Sequence, residues 1–371
     1  MKIIRRAPAF LILILVARSL AAQQSGPAPL SPAPLLAIGK DAQGRPIPFG
    51  IPPYYTPDTP LGTGPYKAIM ATDPSLPEQV MYYPAKIDAA GKLPIVTWGN
   101  GACIHAGNRF RGFLTEIASH GFLVISAGQM GHVSLEVGPQ ENPAVTPAGA
   151  TPPARGTQPP GKKAAPADEN DPSAKWRSMR STADHLKQAI DWAIAENSRP
   201  GSRFFGKLDT AKIGVGGQSC GGGLATQVAA DPRVTTVGIF NSGSRLTTPM
   251  AAPRGSNADP AEARKRAQAQ LDAIHSPVLY LTGDETLDIA FPGGRDSFDY
   301  LTKVPVFRAW EDGLAHIGTY GAPNGGAIGR IASDWYRWQL RGDKEAARTF
   351  SGADCILCRE PTWHVQKKNM K

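Results

Sequence analysis

The sequence predicts an α/β protein in which helices cover both faces of a central, mostly parallel β-sheet. Six short apolar runs have the character of buried strands, at residues 93–98, 122–127, 213–216, 237–241, 278–282 and 306–310. Stretches with helical spacing of their apolar residues stand between these runs. Such regular alternation of strand and helix is typical of a doubly wound layer sandwich.

The predicted helices follow the strands in order. The clearest spans 179–196, where Ala183, Leu186 and Ile190 recur on one helical face. The others are expected at 110–120, 222–230, 261–274, 296–301 and 327–340. Ahead of the first central strand, two runs have the pattern of an antiparallel pair at one edge of the sheet, at 66–72 and 80–83.

Three segments outside this alternation are biased in composition. Residues 1–22 have a basic start, nine apolar residues at 9–17 and small residues after them, which is the pattern of a signal peptide. The apolar run is shorter than the about 20 residues that a spanning helix needs. Residues 23–60 are rich in proline and predict an extended leader. Residues 141–172 hold eight prolines and predict a long exposed insertion, either a lid or a disordered excursion. The rest of 61–371 is predicted to form a single domain.

The charge distribution argues against a nucleic-acid partner. The 40 basic and 31 acidic residues give a formal net charge of +9, but four basic and no acidic residues lie in 1–22. The remaining 36 basic and 31 acidic residues leave +5, scattered without a long basic run. We therefore expect a secreted or periplasmic protein with no stable membrane insertion after signal cleavage, in a compartment where its cysteines can pair.

The strongest chemical signal is a glycine-rich turn. The strand at 213–216 leads into residues 217–221 (Gly-Gln-Ser-Cys-Gly), and a helix of small residues follows. This is the context in which a G-x-S-x-G turn presents a nucleophilic serine, because glycines permit the sharp turn. Ser219 is the predicted nucleophile, above a helix N-terminus that favours an oxyanion. The alternative is a glycine-rich turn with a capping serine.

A nucleophilic serine needs a histidine base, which follows it in the chain order Ser, acid, His. His316 comes after the last predicted strand on a small-residue loop and is the predicted base. His364 lies in a lysine-rich tail with nothing strand-like before it, and His275 precedes a strand. The remaining histidines precede Ser219 and are interpreted as surface, turn or pocket-lining residues.

The acid that orients His316 is expected just beyond the strand at 278–282. Asp288 is favoured because it lies far enough past the strand end to reach back towards His316. Asp284 begins the turn and can act as its cap, and Glu285 is the third candidate.

Two backbone N–H groups should stabilise the oxyanion of the tetrahedral intermediate. One is expected from Cys220, directly after the nucleophile, and the other from Ala102 in the glycine-containing loop after the strand at 93–98. Gly101 and the side chain of Asn100 are alternatives. A plain glycine turn joining strand to helix fits the same residues.

Together these motifs resemble secreted α/β-hydrolases of the cutinase-like polyesterase and dienelactone-hydrolase branch. The resemblance runs from about residue 64 to His316 and includes Gly-Pro-Tyr at 64–66, Met-Tyr-Tyr-Pro at 81–84 and Asp-Ile-Ala at 288–290. It implies the α/β-hydrolase fold and ester hydrolysis by Ser219, Asp288 and His316, with the N–H groups of Ala102 and Cys220 as oxyanion hole. The family usually has an aromatic residue in place of Ala102, a methionine in place of Cys220 and a tryptophan where 241–243 stand.

The predicted function is hydrolysis of a carboxylic ester through an acyl-enzyme, without cofactor or metal. A catalytically silent binding protein on the same fold and a serine peptidase are the alternatives. A zinc site at Cys355 and Cys358 is disfavoured because no second cysteine pair or histidine stands at zinc spacing. These two cysteines are predicted to form a disulfide, as a similar pair does in relatives of this branch. Cys103 and Cys220 are either a bridge beside the oxyanion hole or two buried thiols.

Overall fold

The computed structural model describes residues 61–130, 180–247 and 259–370. The strands in these ranges are β1 (Ala68–Asp73), β2 (Leu76–Pro84), β3 (Leu93–Gly99), β4 (Leu123–Ala127), β5 (Leu208–Gln218), β6 (Val234–Phe240), β7 (Val278–Thr282), β8 (Val306–Glu311) and β9 (Trp363–Lys368). They form one sheet in the order β1-β2-β4-β3-β5-β6-β7-β8-β9. Strands β3 to β8 are the six predicted runs and pair in parallel, and β1 and β2 are the predicted antiparallel pair. The mostly parallel α/β architecture is therefore confirmed.

Helices pack on both faces of this sheet. The described helices are α1 (Arg111–Ser119), α2 (Ala183–Ser198), α3 (Cys220–Val228), α4 (Pro260–Asp272), α5 (Phe291–Tyr300), α6 (Gly326–Arg341), α7 (Lys344–Ala347) and α8 (Ile356–Arg359). Successive side chains of a strand point to opposite faces, so Val278 and Tyr280 of β7 join the apolar layer under α2 to α5. Leu279 and Leu281 join the layer under α1 and α6. None of the described helices combines the length and apolar character needed to cross a membrane.

The ninth strand corrects the expectation that His364 lies in a tail without strand character. Strand β9 pairs antiparallel with β8 and brings His364 opposite Trp310, with the two rings stacked 5.0 Å apart. In β9, Trp363 is buried and His364 is exposed, while Lys367 and Lys368 are half-buried along the outer edge of the sheet. This lysine-rich composition is how an exposed edge strand avoids unwanted pairing, and it hides the strand from a search for apolar runs.

Helix α5 begins five residues earlier than the predicted 296–301. Pro292 stands in its first turn, where a missing N–H costs no intrahelical hydrogen bond. Gly293 then allows the helix to approach the chain after β6, because a Cβ at this position would lie 2.6 Å from the carbonyl oxygen of Gly243. Gly294 is confined as well, because a Cβ there would lie 2.8 Å from Cγ2 of Thr282, so packing requires both of these glycines within the helix.

Some predicted segments lie outside the described residues. These are the signal peptide at 1–22, the leader at 23–60 and the insertion at 141–172.

Helix α2 begins at Ala183, where Thr182 and His185 form a reciprocal capping box.

The carboxyl ends of the parallel strands gather at one edge of the sheet. Strand β3 ends before the loop of Ala102, β5 ends at Gln218, directly before Ser219, and β6 ends before Asn241. The loops after β7 and β8 contain Asp288 and His316. Loops at this edge of a parallel sheet converge, which is why ligand sites of α/β folds form there.

Candidate active site

Ser219 occupies a strained turn between β5 and α3. Its backbone has φ 53° and ψ −119°, a conformation that L-residues other than glycine rarely adopt. The turn closes because Gly217 and Gly221 lack side chains, since a Cβ on either would strike neighbouring backbone. The Ser219 N–H donates to the carbonyl of Phe240 at 2.9 Å, and the Ser219 carbonyl accepts from the Ser242 hydroxyl at 2.7 Å. The turn is therefore held against the end of β6.

Ser219, His316 and Asp288 form one hydrogen-bonded chain. Nε2 of His316 lies 2.9 Å from Oγ of Ser219, and Nδ1 lies 2.7 Å from Oδ1 of Asp288. A carboxylate can only accept, so Nδ1 carries the ring proton and Nε2 is left to accept from the serine hydroxyl. The side chain of Gln218 donates to the His316 carbonyl at 3.1 Å and holds the histidine loop beside the serine turn. The three predicted catalytic residues thus lie together, in the geometry that proton transfer requires.

Asp288 is buried, and its carboxylate accepts four hydrogen bonds. Besides His316, the donors are the N–H of Ala290 at 2.8 Å, the N–H of Gly283 at 2.7 Å and the side-chain amide of Asn241 at 2.8 Å. Burial by itself raises the pKa of Asp288, but the hydrogen bond and charge of His316, together with the backbone donors, outweigh it and lower the pKa below its ordinary value. The carboxylate is therefore ionised at neutral pH.

Asp284, the competing acid, has a different set of partners. Its Oδ1 accepts from the N–H and hydroxyl of Thr286 at 2.7 and 2.6 Å, and its Oδ2 accepts from the N–H of Gly313 at 2.9 Å. It caps its own turn and ties that turn to the histidine loop. Glu285 is exposed and lies 3.6 Å from the guanidinium of Arg295. Of the three carboxylates, only Asp288 reaches His316 within the described residues.

The two predicted oxyanion donors belong to segments joined by a covalent bond. Ala102 has φ 53° in the turn after β3, and the next residue, Cys103, forms a disulfide with Cys220 at a Cα separation of 5.2 Å. Cys220 is the first residue of α3, where backbone N–H groups have no partner within the helix. A guanidinium N–H of Arg180 donates to the Ala102 carbonyl at 2.9 Å and holds this peptide in place. The bridge therefore fixes the Ala102 turn beside the helix N-terminus.

The side chain of Asn100, an alternative oxyanion donor, has another task. It is buried and donates to the carbonyls of Ala106 at 3.0 Å and Ala127 at 2.7 Å. Its amide N–H groups are thereby used to brace the loop after β3 against β4. This favours the backbone N–H of Ala102 over the Asn100 side chain as the donor.

The structure contains both disulfides considered from the sequence. Cys355 and Cys358 are bridged as predicted, and Cys103 and Cys220 form the bridge that had an alternative as two thiols. No free cysteine remains among the described residues. The first pair encloses one turn at α8, whereas the second joins residues 117 positions apart.

Removal of the Cys103–Cys220 bridge should lower turnover in the folded protein. We expect the Cys103→Ala/Cys220→Ala variant to lose about tenfold in kcat, because loss of a single oxyanion donor costs 10²- to 10³-fold and loosening it costs less. Its Tm should also fall, because the bridge closes a long loop. The measurement is kcat on p-nitrophenyl acetate below the thermal transition, with circular dichroism as the check of folding.

The matched control for this experiment is Cys355→Ala/Cys358→Ala. These residues lie at α8, which follows α6 in the chain, and neither belongs to the Ser219 turn or to the loop of Ala102. We therefore expect the wild-type kcat. A folded Cys103→Ala/Cys220→Ala variant with wild-type kcat would show that the bridge does not brace the site.

A cluster of Glu78, His105 and His185 is the one candidate metal site in the described part of the chain. Their potential ligand atoms lie within 4.8 Å of one another. However, Nδ1 of His185 accepts the backbone N–H of Thr182 at 3.0 Å, which places the proton of the neutral ring on Nε2. Nε2 of His105 lies 2.5 Å from the Glu78 carboxylate, and its Nδ1 contacts the Ser181 hydroxyl at 3.1 Å. These hydrogen bonds leave no lone pair on Nε2 of His185 for a metal, and the cluster instead anchors the loop that follows Cys103.

Two neighbours of the site were missed at the sequence level, Asn241 and Tyr320. Asn241 directly follows β6 and has φ 42°, and Tyr320 lies four residues beyond His316. The available signal was an asparagine at the carboxyl end of a parallel strand, where polar residues often serve a site. The sequence by itself did not show that its amide reaches Asp288.

The chain matches no protein-family model, and no curated protein matches it. The functional conclusion therefore depends on the geometry of the described residues. That geometry places a serine on a strained turn, a histidine hydrogen-bonded to it and a buried carboxylate behind the histidine.

Proposed function

We propose that this protein is a serine hydrolase of the α/β-hydrolase fold that cleaves carboxylic esters through an acyl-enzyme intermediate. The observation that carries this proposal is the continuous chain Ser219–His316–Asp288, assembled from the ends of three parallel strands. A capping serine on a glycine turn needs neither a histidine at 2.9 Å from its hydroxyl nor a buried acid behind that histidine. Two disulfides support a secreted or periplasmic location.

The first half-reaction forms the acyl-enzyme. Oγ of Ser219 attacks the ester carbonyl carbon as Nε2 of His316 takes the hydroxyl proton, and Asp288 stabilises the resulting imidazolium. The carbonyl oxygen becomes an oxyanion, which the N–H groups of Ala102 and Cys220 receive. Collapse of the tetrahedral intermediate breaks the bond to the alcohol oxygen, which takes the proton from His316 and leaves.

The second half-reaction hydrolyses the acyl-enzyme and regenerates the free enzyme. A water molecule loses a proton to Nε2 of His316 and attacks the acyl carbon, and the second tetrahedral intermediate uses the same oxyanion donors. Its collapse breaks the bond to Oγ of Ser219, which regains the proton and releases the carboxylic acid. Every proton transfer runs through His316, so the orientation of its ring by Asp288 matters in both halves.

The surroundings of the acid suit an ester with an apolar part. Leu287 and Ile289 flank Asp288 in the chain and are 49% and 65% exposed, and they are two of the four large apolar side chains that are exposed among the described residues. They belong to the loop whose acid contacts His316, and the His316 side chain is itself 23% exposed. An apolar acyl or alcohol group can bury this surface on binding.

A panel of p-nitrophenyl esters with graded acyl length tests the proposal. We expect time-dependent release of p-nitrophenol, with a preference that reports the size of the acyl pocket. A fluorophosphonate probe should block this activity in a 1:1 ratio, and peptide mass spectrometry should locate the phosphonyl group on Ser219 because only an activated serine reacts. Absence of hydrolysis for every ester, together with no labelling of Ser219, would favour the silent binding protein instead.

A further inference from the structure

On the side away from His316, the Asp288 carboxylate belongs to a second series of hydrogen-bonded side chains. Nδ2 of Asn241 lies 2.8 Å from Oδ2 of Asp288, and Oδ1 of Asn241 lies 2.8 Å from the hydroxyl of Tyr320. Asn241 follows β6, Asp288 lies in the loop after β7, and Tyr320 shares the loop after β8 with His316. The chain Tyr320–Asn241–Asp288 therefore links the three loops that assemble the site.

The direction of each hydrogen bond in this chain is determined by Asp288. An ionised carboxylate only accepts, so the amide nitrogen of Asn241 must face it and the amide oxygen must face Tyr320. The Tyr320 hydroxyl must then donate to that oxygen. Burial, followed by the negative charge of Asp288, raises the pKa of Tyr320 well above its ordinary value, so the hydroxyl keeps its proton.

The residue types match this role. Asn241 has φ 42°, in the left-handed region that asparagine tolerates better than most residues, and its side chain is buried. Its backbone N–H donates to the Leu281 carbonyl at 2.6 Å, which anchors the turn. The Tyr320 ring packs edge-on against Phe110 and Phe113, at centroid distances of 5.0 and 5.2 Å. Neither side chain is free to change its rotamer without leaving a buried polar group unpaired.

We propose that Asn241 and Tyr320 are positioning residues that hold Asp288 in one orientation and set the pH below which His316 ceases to act as a base. The proposal rests on the proposed function of the site. The hydrogen bond from Asn241 draws negative charge towards Oδ2, so the carboxylate stabilises the protonated ring of His316 less strongly. When this donor is lost, the carboxylate stabilises the protonated ring more strongly. His316 then stays protonated to a higher pH, and activity is lost at a higher pH.

The other charged groups around the acid loop have partners of their own. Asp284 is bound to Thr286 and Gly313, and Arg295 lies near Glu285. The Arg245 guanidinium donates to the Ile289 carbonyl from the chain after β6. From α6, Tyr336 lies close enough to Tyr320 to affect its titration, and its own burial raises its pKa above the ordinary range. The described contacts thus make Asn241 the polar side chain, besides His316, that binds the Asp288 carboxylate.

Two substitutions test the chain at different links. Tyr320→Phe removes only the hydroxyl and leaves Asn241 without the partner that fixes its amide. Asn241→Asp keeps the size of the side chain and its tolerance of positive φ, but replaces the donor by a second carboxylate beside Asp288. The matched control is Tyr336→Phe, because that hydroxyl is buried and has no hydrogen-bond partner among the described residues.

The first readout is the pH dependence of p-nitrophenyl acetate hydrolysis. For Tyr320→Phe we expect kcat to fall by about three- to tenfold with KM nearly unchanged, as for loss of one hydrogen bond. The acid limb of kcat should move up by about half a pH unit in this variant and by about one unit or more in Asn241→Asp, because two neighbouring carboxylates retain a proton on His316. The Tyr336→Phe control should keep the wild-type midpoint.

The second readout does not require activity. In protein labelled with ¹⁵N-histidine, the ring signal of His316 is identified by its loss in His316→Ala, and its titration midpoint is followed in each variant. An upward shift in Tyr320→Phe and Asn241→Asp supports the proposal, and unchanged midpoints in Tyr320→Phe overturn it even if Asn241→Asp does not fold. If the wild type hydrolyses no ester while the midpoints shift, the proposed function fails and the positioning role stands. If esters are hydrolysed and the midpoints stay, the positioning role alone fails.

Discussion

Ser219→Ala should abolish the proposed ester hydrolysis, with an expected loss in kcat on the order of 10⁶-fold, as for removal of the nucleophile in serine hydrolases. The hydroxyl oxygen is the only heavy atom removed, and its hydrogen-bond partner in the structure is Nε2 of His316. Alanine experiences the same backbone strain as serine at φ 53°, so the turn and the fold should persist. The measurement combines kcat on the best p-nitrophenyl ester with the far-ultraviolet circular dichroism spectrum and Tm.

A matched control separates the nucleophile from any effect of losing a serine. Ser75→Ala removes a hydroxyl from the exposed turn between β1 and β2, where it contacts Asp73 and Trp192, and should keep wild-type kcat. Fluorophosphonate labelling should be lost in Ser219→Ala and kept in Ser75→Ala. A well-folded Ser219→Ala variant with substantial activity would refute the mechanism.

Asp288→Asn should lower kcat by about 10⁴-fold, the loss seen when the acid of such a triad becomes an amide. An amide can present an N–H to Nδ1 of His316, which stabilises the tautomer with the proton on Nε2. That proton then faces Ser219, and the ring can no longer accept the hydroxyl proton. The N–H groups of Gly283 and Asn241 donate to Oδ2, so the amide oxygen is favoured at that position and the amide nitrogen then faces His316.

Asp284→Asn is the matched comparison, because it makes the same chemical change four residues earlier in the same loop. Its oxygen can still accept from Thr286, so the loss should be confined to the bond from Gly313 and remain near severalfold in kcat. Both variants are measured for kcat, KM and Tm on the same ester. A larger loss of kcat in Asp284→Asn than in Asp288→Asn would show that Asp284, and not Asp288, is the acid that orients His316.

Much of the fold could be predicted because its signals are local. Buried parallel strands are short continuous apolar runs, and the runs at 278–282 and 306–310 were recognisable without knowledge of their neighbours. The strand-to-helix turn at Ser219 was also recognisable, because a turn this sharp has no room for side chains two residues before and after the serine, and glycines stand at both positions. Strand β9 lacked such a signal, since an edge strand buries only alternate side chains and its lysines resemble a solvated tail.

The sequence by itself therefore determined the α/β architecture, the turn that presents Ser219 and the order of serine, acid and histidine along the chain. Folding in three dimensions was needed to bring Asp288, and not Asp284, to His316, because the path of the acid loop depends on hydrogen bonds from Gly313 and other distant segments. It was needed also for the Cys103–Cys220 bridge and for the contact of Asn241 with Asp288, whose partners are 117 and 47 residues apart. Contacts between such distant residues follow from how strands and helices pack, and local sequence patterns by themselves do not specify which of the candidate contacts forms.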